Sequence, residues 1–482
     1  MGCALKMGNA HSIPGHDCLL AAVGQNSSLV AFQGDPFFTL RTPPVYNLDR
    51  PVTPIAVTFP ENSEQVASIV QCAATNGYKV QARSGGHSYG NYGLGGVDGA
   101  VVVDLKNLQD FSIDPFTQIA TVGSGTLLGD LHSRLYNAGH RAVAHGACLN
   151  VGMGGHFTIG GLGAMSRQWG MALDHIREAE VVLANGTIVN ASSSHNQDVL
   201  FAIKGAAASL GIVTKFKLHT HAAPTHAVQY SYTLNLGTTA QRAQLFKDWQ
   251  RFIFTKNLTR RVSSELLVFE SGILLSGTFF GSASEWKSFE KEMNFPATDN
   301  GTVIVLTDWL GMITSQAEDF IYQVVGGIPT SFYAKSMSFT DPIPNDGIDS
   351  LFKYLDSATK GTPTWFIIFD LEAGATNDVP VNATAYAHRE TIMWMQSYAV
   401  NLLGPVSQTT KEFLKGTNDV VSTSQPGVSH GAYPGYVDPL LENAQEAYWG
   451  SNLPRLQSVK AQIDPSDVFH NPQSVLVVPD QP

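Results

Sequence analysis

Residues 62–77 show the clearest periodic pattern of apolar and polar positions in the chain. Apolar side chains recur at helical spacing through 66–73, which predicts an amphipathic helix with one face in a core. Asn62 has the position of its N-cap, with Gln65 in the reciprocal capping position, and Gly77 marks its end. Shorter apolar runs predict strands at 54–58, 79–82, 100–105 and 118–125, and a second helix at about 127–138 that Gly139 closes.

A β-hairpin is predicted at 179–192. Two apolar runs there flank Asn185 and Gly186, a pair that suits a tight primed turn. Together with the elements before it, the hairpin predicts a compact α+β unit from Pro54 to about His221.

Pro224 marks the predicted boundary of a second α+β domain, because strands and amphipathic helices mix beyond it. Near residue 430 the pattern changes once more, and the chain is predicted to end with a helix at 451–464. Between these points, strands are predicted at 229–236, 273–281 and 365–374, and helices at 240–254, 284–293 and 383–402.

The composition is that of an ordinary globular protein, and its charge excludes several kinds of partner. The chain of 482 residues is long enough for two or three domains, and 43% of its residues are hydrophobic and 14% charged. The formal net charge is -11, and no Lys/Arg cluster is available to bind nucleic acid or an anionic membrane surface. No run of 18 apolar residues could span a bilayer. A small-molecule partner is therefore expected, with no nucleic acid and no membrane.

Sequons and cysteine usage favour a secreted glycoprotein. The first fifteen residues lack the apolar core of a secretory signal, so the signal peptide is expected to be absent from this chain. Asn-x-Ser/Thr sequons occur at Asn26, Asn185, Asn190, Asn257, Asn300 and Asn382. The four cysteines (Cys3, Cys18, Cys72 and Cys148) are too few for a disulfide scaffold and match no zinc site. One bridge and two remaining thiols is the simplest arithmetic, and no metal is expected.

Two glycine-rich segments, RSGGHSYGNYGLGG at 83–96 and HGACLNVGMGGHFTIGGLGAMS at 145–166, carry the candidate chemistry. Glycines let backbone N–H groups approach an anion closely, although a glycine-rich surface turn is the plain alternative for either segment alone. Neither follows the order of strand, G-x-G-x-x-G and helix of a Rossmann fingerprint. Two such loops in one domain predict a large phosphate-bearing cofactor between them.

Three motifs together resemble the berberine-bridge-enzyme-like branch of the vanillyl-alcohol-oxidase flavoproteins, and most closely the fungal oligosaccharide oxidases. They are R-S-G-G-H-S-Y, H-G-A-C-x-x-V-G-x-G-G-H and Y-P-G-Y-V-D, and the similarity runs from about Cys18 to Val477. The resemblance implies an α+β, two-domain FAD-binding fold of vanillyl-alcohol-oxidase type. Its FAD domain would combine N-terminal and C-terminal segments, beside a substrate domain with an antiparallel sheet. The implied boundaries are a tail at 1–17, an FAD-binding domain at 18–223, a substrate domain at 224–429 and a returning segment at 430–482.

The same resemblance implies FAD attached by two covalent bonds, through His87 to the flavin C8-methyl and through the thiolate of Cys148 to flavin C6. It also implies a disulfide between Cys18 and Cys72, which leaves Cys3 without a partner in the similar region. The other cofactor-binding positions carried over are Arg83, Ser84, Gly85, Gly86, Ser88, Gly152, Gly154, Gly155, His156, Gly160, Gly161 and Ile212.

The resemblance places the catalytic base at Tyr436, in Y-P-G-Y, with Asp370 of WFIIFDL as its acidic neighbour. An oxidase that takes hydride from a carbinol carbon needs a group that accepts the hydroxyl proton. A carboxylate beside a phenolate would oppose its ionisation, so Asp370 is expected to accept a hydrogen bond or to position substrate. Oxygen would then receive the electrons and form hydrogen peroxide.

Substrate contacts depart from the pattern of the oligosaccharide oxidases. Tyr89 and Gln396 match their sugar-contacting positions, but Leu162, Leu267, Phe366 and Ile368 stand where polar or larger aromatic residues are usual. The leading hypothesis is a monomeric oxidase of the reducing-end C1 hydroxyl of an oligosaccharide, giving a lactone. The alternatives are the same chemistry on a non-sugar alcohol or secondary metabolite, a flavin-binding protein with little turnover, and a plain sugar-binding module.

Overall fold

Four β-sheets organise the part of the chain that this computed structural model describes, namely residues 13–234, 237–270, 272–293, 301–312 and 328–478. Three of them are large, with four, five and seven strands, and the fourth pairs only β7 (Arg141–Ala142) with β11 (His221–Ala222). Helices cover the sheets, so the α+β fold class predicted from the sequence is confirmed.

The first sheet is mixed and lies at the N-terminal end of the chain. Its strands run in the order β1-β2-β4-β3, with β2 and β3 parallel to β4 and β1 antiparallel to β2. They are β1 (Val30–Phe32), β2 (Ala56–Thr58), β3 (Val80–Arg83) and β4 (Val101–Asp104).

Helix α3 (Ser63–Thr75) packs on this sheet and follows its sequence pattern closely. The Asn62 side chain accepts the Gln65 N–H at 2.9 Å, while the Gln65 side chain accepts the N–H of Glu61. The apolar face is fully buried. A disulfide joins Cys72 of α3 to Cys18 of α1 (His16–Ala22), so that pairing is confirmed.

The second sheet is antiparallel, in the order β5-β6-β10-β8-β9. The hairpin predicted at 179–192 is present, but its turn is not of the primed type. Of the Asn185-Gly186 pair, only Gly186 has a positive φ, of 78°, and the turn closes with a bond from Leu183 N–H to the Thr187 carbonyl. The strands are β5 (Phe111–Ile113), β6 (Ile119–Gly123), β8 (Ile176–Val182), β9 (Ile188–Ser192) and β10 (Ile212–His219).

The third sheet has seven antiparallel strands in the order β15-β12-β14-β13-β17-β18-β16. The helix expected at 383–402 is wrong: residues 393–401 form β18, which lies between two other strands and is buried on both faces. A strand buried on both sides has no polar alternation, so its apolar run cannot be told from a helix. The strands are β12 (Ala227–Leu234), β13 (Val262–Phe269), β14 (Gly272–Phe279), β15 (Gly301–Leu306), β16 (Ser331–Phe339), β17 (Thr364–Leu371) and β18 (Met393–Asn401).

The C-terminal segment returns to the first two sheets. Val80 of β3 donates its N–H to the Val468 carbonyl at 2.8 Å, and buried Lys460 bonds to the carbonyl of Ser209 and to Asp464. The remaining helices are α2 (Phe38–Arg41), α4 (Leu128–Asn137), α5 (Met153–Ile159), α6 (Ser166–Trp169), α7 (Gln197–Ala206), α8 (Thr239–Ile253), α9 (Ala283–Met293), α10 (Asn345–Ser357), α11 (Gln408–Thr423), α12 (Ala444–Trp449) and α13 (Leu453–Ile463). Within the described ranges, no helix is long and apolar enough to cross a membrane.

Candidate active site

One large cavity, of about 510 Å³, lies between the glycine-rich loops and the seven-stranded sheet. It collects side chains from the β3 loop, from the loop before α5, from β13, β14 and β17, and from the C-terminal segment. Both glycine-rich segments singled out in the sequence therefore face the same space, together with Tyr436 and Asp370.

The two glycine loops touch each other backbone to backbone. A Cβ on Gly152 would lie inside van der Waals contact of the Gly85 nitrogen, and a Cβ on Gly85 would collide with the Gly152 nitrogen in the same way. The Ser84 hydroxyl ties the loops further, since it donates to the Ser124 carbonyl at 2.7 Å and accepts the Gly154 N–H at 3.3 Å. Glycine is required at this crossing because any side chain would separate the loops.

Arg83 holds the first loop in its conformation. Its guanidinium pairs with buried Asp104 at 2.9 Å and also donates to the carbonyls of Ser84 and Gly85. Gly86 has φ +79°, and a Cβ there would lie 2.6 Å from the Arg83 Nε. The arginine and the glycines thus fix the backbone that carries His87.

His87 lies in the cavity in its neutral form. Burial, and next to it the charge of Arg83, lower the pKa of His87 to about 4, although a hydrogen bond with the Asn150 backbone opposes the shift. The ring of Tyr46, which sequence analysis did not single out, lies 4.8 Å from the His87 ring. A neutral imidazole has one ring nitrogen with a lone pair, which is the form able to bond to an electrophilic carbon.

Cys148 also faces the cavity and carries a protonated thiol. Burial raises the pKa of Cys148 to about 11, so the thiolate expected from the sequence is not the resting form. The loop before it is held by His156, whose Nε2 accepts the Gly146 N–H at 2.9 Å. Burial lowers the pKa of His156 to about 3, which keeps that nitrogen an acceptor.

Most of the predicted cofactor positions line the cavity, and two do not. Gly160 and Gly161 are not among its lining residues; instead the Gly161 N–H donates to the hydroxyl of Tyr433 at 2.9 Å, and a Cβ on Gly160 would meet the Tyr433 ring. Gly160 and Gly161 therefore contact Tyr433 and do not face the cavity. The positions that do line the cavity are Arg83, Ser84, Gly85, Gly86, His87, Ser88, Cys148, Gly152, Gly154, Gly155, His156 and Ile212.

Tyr436 stands at the wall of the cavity among other aromatic rings. The Tyr89 ring stacks on it at 6.2 Å with an interplanar angle of 20°, and the Tyr433 ring meets its edge at 5.0 Å. The backbone of Gly435, between the two tyrosines in sequence, lies so close to the Tyr433 ring that a Cβ there would collide with it. Burial, followed by the charge of Asp370, raises the pKa of Tyr436 well above its ordinary value, so its resting state is the phenol.

Three carboxyl groups, those of Glu265, Asp370 and Glu372, line the same cavity as Tyr436. Asp370 on β17 lies directly opposite Glu265 on the neighbouring strand β13, and Glu372 follows Asp370 by two residues along the chain. Burial, then the charges of Glu265 and Glu372, raise the pKa of Asp370 well above its ordinary value. Burial likewise raises the pKa of Glu372 to about 8, against a lowering by Arg167. Among the described residues, no group of His, Cys, Asp and Glu side chains is placed to hold a metal ion.

The predicted substrate positions divide into two sets. Tyr89, Leu162, Ile368 and Gln396 line the cavity. Leu267 and Phe366 are not lining residues; both are buried in an apolar cluster that also contains Tyr89 and Ile368. The Gln396 amide donates to the Tyr89 hydroxyl at 3.2 Å, so these two polar groups satisfy one another.

The residues around the cavity fit an FAD. The glycine crossing leaves backbone at the surface where a side chain would block it, and the buried Arg83 Nε has no hydrogen-bond partner within the described ranges. A neutral imidazole and a thiol face the same space as a buried phenol. These are the groups that a flavin with a pyrophosphate arm and two covalent attachments would need.

Comparison with known proteins agrees with this geometry. Residues 54–192 match the family described as "FAD binding domain", and residues 432–476 match the family described as "Berberine and berberine like". The FAD-linked oxidoreductase sorD of Penicillium rubens is 40% identical over 464 residues, which is 95% of this chain and 97% of that protein.

Two solved structures share the fold along nearly their whole length. The xylooligosaccharide oxidase from Myceliophthora thermophila C1, in complex with xylobiose, is 32% identical with a TM-score of 0.88, covering 97% of this chain and 100% of that one. The glucooligosaccharide oxidase from Acremonium strictum, described with a 6-S-cysteinyl, 8α-N1-histidyl FAD, is 30% identical with a TM-score of 0.88, covering 96% and 99%. The family resemblance and the two-domain FAD fold expected from the sequence are confirmed. The chain belongs to the berberine-bridge-enzyme-like family of FAD-linked oxidoreductases.

Proposed function

We propose that the cavity holds FAD attached through both His87 and Cys148. Three observations support this: both side chains face one space, His87 is neutral, and a relative with the same fold carries a cysteinyl and histidyl flavin. Burial raises the pKa of Cys148 to about 11, so the resting form of this side chain is the thiol. We further propose that residues 18–223 and 430–482 bind the cofactor while residues 224–429 bind substrate.

The function that the geometry supports best is oxidation of a carbinol carbon. The observation that carries it is the phenol of Tyr436 inside the cavity, beside Asp370. When bound, FAD supplies the hydride acceptor, and its reoxidation by oxygen yields hydrogen peroxide. Tyr436 accepts the hydroxyl proton of the substrate as a phenolate, so its own phenol proton must first leave through the cavity to solvent. The rings of Tyr89 and Tyr433 fix its orientation.

Asp370 assists Tyr436 as a hydrogen-bond donor in this account. Its burial beside Glu265 favours the protonated carboxyl, which has an O–H to offer. A neutral donor stabilises a developing phenolate, whereas a carboxylate would oppose it. Glu265 therefore contributes by keeping Asp370 neutral.

The leading substrate class is the reducing-end C1 hydroxyl of an oligosaccharide, which two structural relatives support by their names. One observation favours the second candidate, a non-sugar alcohol: Ile368 and Leu162 present apolar side chains to the cavity, so part of the bound substrate is in contact with hydrocarbon. Each of the two classes needs the same base and the same cofactor.

Anaerobic mixing of the yellow protein with substrate panels tests the oxidase proposal. Xylobiose, cellobiose and chitobiose form the sugar panel, and benzyl alcohol and cyclohexanemethanol form the other. Loss of the flavin absorption with any of them, followed by one peroxide per flavin on admission of air, is the expected result. A flavin that stays oxidised with every compound would instead support a flavin-binding protein without turnover.

We also propose a secreted, monomeric glycoprotein. Five of the six sequon asparagines are exposed, and the sixth, Asn300, lies outside the described residues. A single mass near 51.8 kDa after enzymatic deglycosylation, and a larger one before it, is the expected result from light scattering. An unchanged mass would contradict glycosylation, and a doubled one would contradict the monomer.

A further inference from the structure

A band of small polar side chains crosses the seven-stranded sheet at the level of Asp370. Glu265 lies opposite Asp370, Ser276 opposite Glu265, Ser231 opposite Ser276, and Thr302 opposite Ser231, on five successive strands. We call Ser276, Ser231 and Thr302 the hydroxyl row. All three line the same cavity as Tyr436.

The hydroxyl row leads from the buried carboxyl groups to solvent. Ser276 and Ser231 are half-buried, and Thr302, on the edge strand β15, is exposed. The part of the chain that the structure describes offers no hydrogen-bond partner to the side chains of Ser276 and Ser231. Two hydroxyls that face a cavity without a protein partner are available to a ligand.

The same cavity carries a second, independent sign of a ligand, two residues beyond Asp370 along the chain. Glu372 is 5% exposed and lines the cavity, and its Oε2 has no hydrogen-bond partner among the residues described. A buried polar atom without a partner is costly unless something else satisfies it. Because burial raises the pKa of Glu372 to about 8, the group is a neutral acid at pH 7 and can donate a hydrogen bond.

The opposite half of the same sheet is closed to a polar tail. On the far side of Asp370, the aromatic rings of Phe366, Tyr398 and Phe332 stack at 5.0 and 5.1 Å, all of them buried. Gln396 on this half is already bonded to Tyr89, and Tyr398, whose hydroxyl has no partner among the described residues, does not line the cavity. A substrate that reaches Tyr436 therefore meets the unpartnered hydroxyls of the cavity wall toward β14 and β12.

We propose that the hydroxyl row is the subsite for the distal end of the substrate, and that it selects a neutral tail bearing hydroxyl or carbonyl oxygens. This inference rests on the proposed function, since it takes Tyr436 as the place of the reacting carbon. Neighbouring strands are about 4.8 Å apart, so Ser276 lies roughly 10 Å and Ser231 roughly 14 Å from Asp370 along the row. The tail oxygen should accordingly lie several bonds away from the reacting hydroxyl.

A carboxylate tail should be rejected. A carboxylate buried here would lose its hydration and would face the charge of Glu265. Arg167, the buried cation beside Glu372, already donates to the backbone carbonyls of Val262, Thr259 and Glu372. The tail could come from a second sugar ring or from a non-sugar alcohol, and the shared chemistry is the neutral oxygen.

Anaerobic calorimetric titration of flavin-loaded Tyr436→Phe protein with matched probes measures the affinity of the subsite, and the variants below are made in the same background. The non-sugar probes are trans-4-methylcyclohexanemethanol, trans-1,4-cyclohexanedimethanol and trans-4-(hydroxymethyl)cyclohexanecarboxylate, and the sugar probes are glucose and cellobiose. We expect the longer oxygen-bearing probe of at least one series to bind roughly three- to tenfold more tightly than its short partner. The carboxylate probe should bind at least about tenfold more weakly than the dimethanol.

Two variants test whether the hydroxyl row causes the tighter binding of the longer probe. In a Ser276→Ala/Ser231→Ala double variant, the advantage of the longer probe should disappear while the short probe binds as before. The matched control is Thr233→Ala, on the same strand and face as Ser231 but exposed and outside the cavity, and it should change nothing. Loss of the advantage in the sugar series alone identifies the tail as a sugar ring, and loss in the other series alone identifies a non-sugar alcohol.

The proposal is overturned if neither long probe has an advantage, or if the advantage survives in the double variant. Because Tyr436→Phe holoenzyme should oxidise the probes too slowly to add heat of reaction, the titration reports binding alone, and the two proposals fail separately. Tail discrimination without any flavin reduction would refute the oxidase alone, and flavin reduction without tail discrimination would refute the subsite alone.

Discussion

The crossing of the two glycine loops gives the sharpest structural prediction, because two glycines of one segment should respond in opposite ways to the same change. A Cβ on Gly152 would lie 2.7 Å from the Ser84 Cβ and closer still to the Gly85 nitrogen, whereas carbon atoms prefer about 3.5–4.0 Å. A Cβ on Gly155, three residues later in α5, meets nothing within 4 Å although Gly155 lines the cavity.

Gly152→Ala should therefore cost the fold about 1–3 kcal/mol, because backbone on both loops must move. That corresponds to a loss of roughly 2–12 °C in Tm for a domain of moderate size. Gly155→Ala should leave Tm unchanged or slightly raised, because alanine is the better helix former by up to about 1 kcal/mol. Its added methyl group enters the space assigned to FAD, so it should lower the flavin content instead.

Both changes are best measured in two backgrounds. In a flavin-free His87→Ala/Cys148→Ala background, Tm reports the chain alone; in the natural background, the ratio of absorbance at 450 nm to that at 280 nm reports flavin loading. An unchanged Tm for Gly152→Ala would refute the loop crossing. Full flavin loading of Gly155→Ala would show that FAD does not lie against this part of the cavity.

Three further predictions concern the base, a buried acid and the disulfide. Tyr436→Phe should lower kcat by roughly 10²–10⁴ with the flavin spectrum unchanged. The neighbouring change Tyr433→Phe should cost only about 1 kcal/mol of folding stability. Equal activity of Tyr436→Phe and wild type would exclude a base at this position. Burial raises the pKa of Glu372 to about 8, so the folded protein holds a proton there that the unfolded chain releases above about pH 4. Relative to Glu372→Gln, wild type should therefore lose stability as the pH rises from about 4 to about 8, which urea midpoints at pH 5 and pH 8 would report. The same change in midpoint for both proteins would contradict the burial of this carboxyl group. Cys18→Ser/Cys72→Ser, which opens a bridge between residues 54 positions apart, should cost roughly 2–4 kcal/mol in urea unfolding, and no change in midpoint would be the contrary result.

The sequence predicted local elements well where one face of an element meets solvent. Helix α3 has a polar and an apolar face, so its limits could be read from the pattern to within two residues. The strand β18 has two buried faces, and the same kind of reading produced a helix there. The difference is physical: periodicity reports the contrast between core and solvent, and a central strand has no such contrast.

The sequence offered candidate site residues where distinctive residues are concentrated in a short segment, as around His87 and around Cys148. The set of three carboxyl groups that lines the cavity with Tyr436 was only partly predictable. Glu265 and Glu372 are single acidic residues in apolar surroundings, and only the pairing of β13 with β17 brings Glu265 to Asp370. Acidic residues at buried alternate positions of a strand were the available signal, since burial of a charge requires a reason.

The hydroxyl row illustrates the same limit. Ser231, Ser276 and Thr302 are far apart in sequence and each is an ordinary strand residue. Their common line follows from strand register, which a single sequence does not determine when the strands are not joined by short turns.

The central claim is that one flavin is bonded to both His87 and Cys148, and the absorption of denatured protein tests it most directly. The account predicts that acid-precipitated wild type keeps its yellow colour in the pellet. Each of the single variants His87→Ala and Cys148→Ala should keep it through the remaining bond, and the double variant should release it to the supernatant. Colour released from precipitated wild type, or retained by the double variant, would contradict the claim.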